Sequence, residues 1–211
     1  MSISKFITSL ILAFCLTIVF RFLAIPEPVS FFLIFCIVLL YLYLPFIYSI
    51  YYSKNINRID RFLEKNDKQP MMKLYYALGN GKEEEIQQSL LLLKQKYRNS
   101  RHMSLFTVIA SLHQNDLKNL KTDIDNIPQR EYRLYYDTLF SIMIRESEKV
   151  INEKLTQIKK EWMKDALKAE LAKRKGNRNE ALRLSNSAAE KARGIQYYLL
   201  VKELDKMNNI A

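Results

Sequence analysis

Apolar residues dominate the first quarter of the chain, and the remainder mixes apolar and charged positions with a helical period. Two apolar runs, at about residues 6–25 and 29–52, are separated by a short break that contains two prolines and a glutamate. The second run has 24 residues and no charge. Because a helix rises about 1.5 Å per residue, about 20 residues cross the hydrocarbon core of a bilayer. The pattern predicts a two-helix transmembrane hairpin over residues 1–52.

Charged residues beside the two runs predict the orientation of this hairpin. Lys5 precedes the first run, Arg21 and Glu27 lie near the break, and a cluster of cations follows the second run. The positive-inside rule therefore predicts a plasma-membrane protein with two spans and with both termini in the cytoplasm. Arg21 has two interpretations: its side chain extends to the outer interface, or it contacts a partner protein or a lipid phosphate within the membrane.

The first run also resembles a cleavable signal peptide, with Lys5 as its charged start. No small-x-small cleavage site follows its apolar core. We therefore expect the first helix to be retained, and the second run anchors the protein in either case.

Residues 53–69 form a basic connector in which apolar side chains recur at helical spacing. One interpretation is an amphipathic helix that lies on the anionic cytoplasmic leaflet. The other is a helix whose apolar side packs on the following domain. On the first interpretation, the residues at the membrane surface are Lys54, Arg58, Arg61 and Lys65.

Composition predicts that residues 70–211 form an all-α soluble domain. The whole chain has only 4 glycines and 5 prolines, which is sparse for a β-rich protein that needs frequent turns. Leu, Lys, Glu, Gln, Arg and Ala, which favour helices, are common instead. Both cysteines, Cys15 and Cys36, lie in the apolar runs, so the soluble domain has no disulfide framework.

A faint internal repeat runs through the soluble domain. Four pivots carry apolar residues at matching offsets, and they are spaced 34, 31 and 30 residues apart. The pivots are Gly81, Asn115, Glu146 and Gly176. This period is typical of arrays of helix pairs.

The clearest unit surrounds Gly176. Small residues precede the glycine and a Glu-Ala pair follows it, so that two helices approach closely, the chain turns at the glycine, and a carboxylate lies near the start of the second helix. The residues are Ala169, Ala172, Gly176, Glu180 and Ala181. This motif resembles the tetratricopeptide repeat family, and the resemblance covers about residues 68–193. Ser111 and Ile142 stand where the family has alanine, and an ordinary helical bundle is the alternative.

The resemblance implies an array whose concave face is lined by the first helix of each pair and grips a peptide or a helix. Residues 195–207 would cap its open end. The alternative for the residues on this face is that the tyrosines are core and the cations are a solvated surface. The implied partner-binding residues are Tyr75, His102, Arg133, Tyr136, Lys173 and Arg174.

Charge indicates the kind of partner. Residues 53–211 hold 31 of the 33 cations and 21 of the 22 anions, a formal net charge of +10. Such a domain attracts an acidic protein, anionic lipid headgroups or nucleic acid. Nucleic acid is disfavoured because the most basic stretch, residues 164–193, lacks aromatic residues for base stacking and is interrupted by glutamates.

Candidate chemistry is sparse. His102 and His113 are eleven residues apart, without a nearby cysteine, and metal sites usually show tighter clusters. Residues 79–82 resemble a phosphate loop superficially but lack its full glycine spacing and the hydroxyl after the lysine, so an interhelical turn is expected there. We predict no enzymatic activity, no cofactor, no metal and no small-molecule substrate.

Two functional hypotheses remain. The first is a membrane-anchored scaffold or adaptor, bacterial by its Lys-, Asn- and Ile-rich composition, whose cytoplasmic array recruits another protein. The second is an accessory subunit of a membrane complex that acts through its transmembrane hairpin.

Overall fold

The structure is a computed structural model that describes residues 3–97 and 103–209. The chain divides into two compact units, Met1–Tyr52 and Ser53–Ala211. Within the described ranges the regular secondary structure is helical and contains no strand. The expectation of an all-α protein is confirmed.

The first unit contains two helices that pack against each other. Helix α1 spans Ile3–Phe22 and α2 spans Glu27–Ile47. A tight turn joins them, in which Ala24 has a φ of 52°. The helical stretch Glu27–Tyr52, with 26 residues and a mean hydropathy of 2.5, is long and apolar enough to cross a membrane. In α1, residues Ile7–Phe22 form a shorter apolar helix, so the second span of the hairpin stays a prediction.

A proline shapes the end of the longer apolar stretch. Pro45 lies inside α2, and a π-helical turn, Tyr48–Tyr52, follows directly. Proline has no N–H to donate to the preceding turn, and a widened turn is one way in which a helix adjusts to this loss. The hydroxyl of Ser49 donates a hydrogen bond of 2.8 Å to the Pro45 carbonyl. The helix therefore continues past Pro45 as a π-turn.

The second unit consists of ten described helices. A leading helix, α3, is followed by four consecutive helix pairs and a last helix, α12. The pairs are α4/α5, α6/α7, α8/α9 and α10/α11. The bounds are α3 Ile56–Lys65, α4 Pro70–Asn80, α5 Glu83–Lys96, α6 Met103–His113, α7 Leu120–Asp125, α8 Arg130–Met143, α9 Glu148–Gln157, α10 Glu161–Arg174, α11 Arg178–Lys191 and α12 Gly194–Asn209.

Each pair turns at a residue in the left-handed backbone region. The residues are Gly81 (φ 68°), Asn115 (φ 55°), Arg145 (φ 59°) and Gly176 (φ 77°). Three of these are the predicted pivots, and the fourth precedes the predicted pivot Glu146 by one residue. Their spacings of 34, 30 and 31 residues reproduce the period that the sequence indicates.

The buried side chains repeat with the pairs. Each of four clusters joins both helices of one pair to the helix that follows the pair. In the first cluster, for example, Leu74 of α4 and Ile86 of α5 pack with Phe106 of α6. The other three clusters include Val108, Ile124 and Tyr136 from α6, α7 and α8; Ile142, Ile151 and Met163 from α8, α9 and α10; and Ala172, Ala181 and Met207 from α10, α11 and α12. The second unit is therefore a helical array with packed neighbouring pairs.

Two aspartates link helices within pairs and between them. Asp137 of α8 accepts a hydrogen bond from Lys121 of α7 and pairs with Lys154 of α9 at 2.8 Å. Asp165 of α10 accepts hydrogen bonds from Ser187 (2.7 Å) and Lys191 (2.6 Å) of α11.

Burial alone would raise the pKa of both carboxyl groups. The hydrogen bonds from their partners outweigh burial, so the pKa of Asp137 and that of Asp165 lie below the usual 3.8. Both aspartates therefore stabilise the folded array in their ionised form.

Helix α3 belongs to the second unit and packs on α4 and α12. Ile59 and Leu63 on its apolar side are fully buried. Asn55 caps its first turn by accepting a hydrogen bond from the Arg58 backbone N–H at 2.9 Å. Of the two interpretations of the connector, packing on the following domain accounts for this apolar side.

Candidate functional site

The last helix, α12, contacts the first helix of every pair. We call the surface that these four helices present to α12 the inner face. It consists of Leu78, Gly79 and Asn80 of α4, Ile109 and His113 of α6, Tyr132 of α8, and Lys173 of α10. Through Met207, α12 also takes the place that the first helix of a further pair would have in the repeating clusters. The helix therefore joins the C-terminal end of the array to its N-terminal end.

Tyr198 is the main anchor of α12. Its side chain is fully buried, and its hydroxyl donates a hydrogen bond of 2.7 Å to Asp60 of α3. The side-chain amide of Asn80 in turn donates to the Tyr198 hydroxyl at 3.1 Å. Burial and the hydrogen bond to Asp60 both raise the pKa of the Tyr198 hydroxyl, because each favours its protonated form.

Gly79 makes room for this tyrosine. A Cβ atom at position 79 would lie 2.5 Å from Cε1 of Tyr198 and 2.7 Å from its hydroxyl oxygen. Such distances are far below van der Waals contact, so an alanine at position 79 is incompatible with the seated Tyr198. The glycine is needed here for space, since it lies inside α4 rather than at the turn.

Two lysines of α12 bind acceptors at the C-terminal end of α4. Lys202 donates to Asn80 Oδ1 at 2.9 Å and lies 3.7 Å from Asp60. Lys206 approaches the Leu78 carbonyl at 3.5 Å. The last carbonyls of a helix carry a partial negative charge, and a nearby cation is stabilising.

The remaining contacts connect α12 to the later pairs. Gln196 donates to the Tyr132 hydroxyl at 3.2 Å, and Glu203 pairs with Lys173 at 3.8 Å. Arg178 of α11 donates to the Met207 carbonyl at 3.0 Å. Polar contacts thus occur along the whole length of α12.

A small cavity remains beside α12. It has a volume of about 160 Å³ and lies between Leu78, Ile109 and His113 on the inner face and Leu199 and Lys206 of α12. The cavity is open to the surface, and charged side chains of α12, among them Glu203, form part of its rim.

The two predicted tyrosines of the partner-binding set pack in core clusters. Tyr75 lies against the cluster of α4, α5 and α6, with its ring 6.2 Å from that of Phe106. Tyr136 lies against the cluster of α6, α7 and α8, and burial raises the pKa of its hydroxyl well above 10.0. For these residues the structure matches the alternative that the tyrosines are core.

The predicted cations of the set are at the surface. Arg133 is exposed and approaches the Ile127 carbonyl at 3.5 Å, and Arg174 pairs with Glu170 at 3.1 Å. Of the predicted residues that the structure describes, Lys173 alone forms an ion pair with α12. His102 lies outside the described residues.

The predicted membrane-surface cations Lys54, Arg58, Arg61 and Lys65 are all exposed. Lys54 donates a hydrogen bond to the Glu190 carbonyl near the end of α11, and Arg61 donates to the Asn57 carbonyl at 3.1 Å. Lys54 is therefore also a structural residue of the array.

The residues that the structure describes contain no group of three or more His, Cys, Asp or Glu side chains that could hold a metal ion. The sequence offered no carboxylate partner for His113, but its Nδ1 lies 3.1 Å from Glu83 Oε1 of α5. This contact links α6 to the preceding pair.

The sequence did not indicate that Asp60, Asn80, Tyr198 and Lys202 form one hydrogen-bonded cluster. These residues come from α3, α4 and α12, and Tyr198 is 138 residues from Asp60. One signal was present: Gly79 lies two residues before the turn glycine Gly81, in a chain with only 4 glycines. A second glycine so close to a turn indicates a close approach by another element.

The fold and the inner face define a class: an all-α protein with a helical-pair array, and with one N-terminal helical stretch long and apolar enough to span a membrane. Comparison of the chain with known protein families, with characterised proteins and with solved structures finds no match.

Proposed function

We propose that the protein is a membrane-anchored scaffold or adaptor that recruits another protein through its helical array. In this proposal residues 1–52 form a two-span hairpin in a bacterial plasma membrane, both termini are cytoplasmic, and the array is a tetratricopeptide-like solenoid. The proposal includes no enzymatic activity and no cofactor.

The observation that carries the proposal is the inner face with a helix lying along it. Helix α12 contacts the first helices of the four pairs through apolar and polar side chains of its own, among them Leu199, Tyr198 and Lys202. Grooves of this kind recognise amphipathic helices through anchors at helical spacing. A surface that holds one helix has the chemistry to hold another.

The charge of the array supports a location beside the membrane. The formal charge of +10 on residues 53–211 attracts anionic headgroups and acidic proteins. Nucleic acid is a weaker candidate because several cations of the basic stretch are paired with carboxylates, as Arg183 is with Glu180 and Lys191 is with Asp165. These pairs reduce the charge available to phosphate groups.

Crosslinking in intact cells tests the proposal. A photo-crosslinking amino acid at Arg133, which is exposed on α8, would be introduced into the full-length protein. We expect a specific protein to be crosslinked and identified by mass spectrometry. A membrane-anchored control protein of equal net charge shows which products result from charge alone. If both proteins give the same crosslinked products, the array has no specific partner and the proposal fails.

The alternative function, an accessory subunit that acts through its hairpin, has its own support. Phe14, Phe31 and Phe32 on α1 and α2 are exposed and are available to lipid or to another membrane protein. Replacing residues 1–52 with an unrelated two-span hairpin separates the alternatives. The scaffold hypothesis predicts that the protein with the replaced hairpin keeps its function. The subunit hypothesis predicts that this protein loses its function, because the hairpin makes the main contact.

A further inference from the structure

Helix α5 carries two exposed leucines. Leu91 is 60% exposed, more than any other large apolar side chain that the structure describes in the second unit, and its neighbour Leu92 is 44% exposed. The residues of α5 that pack in the array lie on another side of the helix, among them Ile86, Leu90 and Leu93. The two leucines therefore belong to a part of α5 that the packing of the array does not use.

The repeat does not require leucine at these positions. The two leucines come ten and eleven residues after the turn glycine Gly81. The corresponding residues after the turn glycine Gly176 are Asn186 and Ser187, and Asn186 is exposed. Since the equivalent positions of α11 are polar, the apolar pair on α5 indicates a contact outside the array.

Charged residues are segregated along α5. The first turn holds three glutamates, the last turn holds two lysines, and the stretch between them has no charge. The residues are Glu83, Glu84, Glu85, Lys94 and Lys96. This order suits the helix dipole, but the dipole does not account for the exposed leucines. A second copy of α5 that runs in the opposite direction is complementary to both features, because glutamates then meet lysines and leucines meet at the centre.

The register of the charges fits such a pairing. Glu83 and Lys94 are eleven residues apart, as are Glu85 and Lys96, and eleven residues are close to three helical turns. Each glutamate therefore shares a side of the helix with one lysine. In an antiparallel pair related by a two-fold axis the same sides of the two copies meet, so each of these glutamates lies near a lysine of the other copy. The axis passes between residues 88 and 91.

The glutamates keep acceptor sites for this contact. Glu85 pairs with Lys82 at 3.0 Å, and Glu83 lies 3.1 Å from Nδ1 of His113. Both carboxylates stay partly exposed, and an ionised carboxylate accepts about four hydrogen bonds. Their contacts within the chain therefore do not exclude the lysines of a second copy.

We propose that the exposed face of α5 is a dimer contact between two copies of this chain. The two helices run antiparallel about a two-fold axis, with Leu91 and Leu92 at the centre and glutamate–lysine pairs at both ends. The contact goes beyond the proposed function, since it needs no other protein. Two copies anchored in one membrane meet at a high effective concentration, so a contact the size of one helix face is enough to pair them.

Disulfide crosslinking of the full-length protein in isolated membranes tests the proposal. The background is Cys15→Ala, Cys36→Ala, which removes both native thiols. Gln88 and Gln95 are exposed positions of α5 for a single new cysteine. At 1.5 Å per residue, Gln88→Cys lies about 5 Å along the axis from its counterpart, whereas Gln95→Cys lies about 17 Å from its own.

We expect oxidation to join two copies of Gln88→Cys and to leave Gln95→Cys monomeric. Copies with Glu84→Cys and copies with Gln95→Cys, produced together, should crosslink to each other, because an antiparallel pair places these positions opposite one another. Absence of a dimer at Gln88→Cys, or equal yields at the two glutamine positions, overturns the proposal. So does a crosslink from position 88 to a different protein in place of a second copy.

Substitution of the leucines tests the centre of the contact. We expect Leu91→Gln, Leu92→Gln, combined with Gln88→Cys, to lower the yield of dimer at least about tenfold, because the apolar burial is lost. The matched control is Leu117→Gln, Ile144→Gln, which replaces two exposed apolar residues away from α5 and should leave the yield unchanged.

Circular dichroism of each variant reports whether the array remains helical. A helical leucine variant that crosslinks as well as its parent contradicts the proposal, and so does a control that loses as much dimer. The comparison of Gln88→Cys with Gln95→Cys does not depend on these variants and decides the orientation by itself. Crosslinking at Arg133 reads recruitment of another protein separately, so either proposal can fail without the other.

Discussion

The Tyr198 hydroxyl joins three helices. It is fully buried, donates to Asp60 and accepts from Asn80. In Tyr198→Phe the Asp60 carboxylate and the Asn80 amide each lose a partner in a partly buried setting. Leaving such groups without a partner costs about 1–3 kcal/mol.

Denaturant unfolding of the full-length protein measures this loss. We expect Tyr198→Phe to lower the free energy of unfolding by about 1–3 kcal/mol. The control is Tyr97→Phe, at an exposed position directly after α5, for which we expect a change of less than about 0.5 kcal/mol, as is usual at surface positions. Equal effects of the two substitutions would show that the hydrogen bonds of Tyr198 contribute nothing specific.

The lowered pKa of Asp165 predicts how the stability of the array depends on pH. Its pKa is lowered in the folded state, so the unfolded state binds a proton more readily. The stabilisation is present above the usual aspartate pKa of 3.8, and it is lost as the pH falls through the lower folded-state pKa. The array should therefore lose stability in acid.

We expect Asp165→Asn to reduce this loss between about pH 5 and about pH 2, because the variant has no carboxylate to protonate there. Thermal unfolding over that range measures the effect. The substitution Asp205→Asn, at an exposed position of α12, is the control. If the wild type and Asp165→Asn lose stability equally as the pH falls, ionised Asp165 is not a source of the acid sensitivity.

The helix pairs were the elements that the sequence revealed best. Gly81, Asn115 and Gly176 mark turns through their chemistry, because glycine and asparagine enter the left-handed region readily. Arg145 has no such signal, so the sequence pattern points to the neighbouring Glu146 instead. The sequence of α3 is compatible with two interpretations, because an amphipathic pattern does not distinguish a lipid surface from a protein surface.

Substitutions at Gly176 test whether the turn that ends α10 requires a left-handed backbone. It has a φ of 77°, and no atom lies within 4 Å of the Cβ that a substitution would add. The cost of Gly176→Ala is therefore backbone strain alone, about 1–2 kcal/mol. Asparagine tolerates this conformation better, so Gly176→Asn should cost less. Denaturant unfolding measures both costs. If Gly176→Asn lowers the free energy of unfolding more than Gly176→Ala does, backbone strain at position 176 is not the cause of the loss.

The closure of the array could not be predicted from the sequence. The sequence placed a last helix at residues 195–207 and assigned it to the open end of an array. In the structure α12 also contacts α3 and α4, through contacts such as that between Lys202 and Asn80, 122 residues apart. Periodicity shows which face of a helix is apolar, but it does not show which distant element covers that face.

The proposed topology requires residues 1–52 to lie in the membrane. Glu27–Tyr52 has the length and hydropathy for one span, and the proposed second span and the cytoplasmic location of the array follow from the charge pattern. A protein with this topology has its C-terminal unit protected by the membrane of an intact cell.

Protease accessibility of the full-length protein tests this arrangement most directly. The protein should stay in the membrane fraction after an alkaline carbonate wash. Protease added outside intact cells should leave residues 53–211 uncut, and protease added to inside-out vesicles should degrade them. Release of the protein by the wash, or cleavage of its C-terminal unit from outside intact cells, would contradict the account.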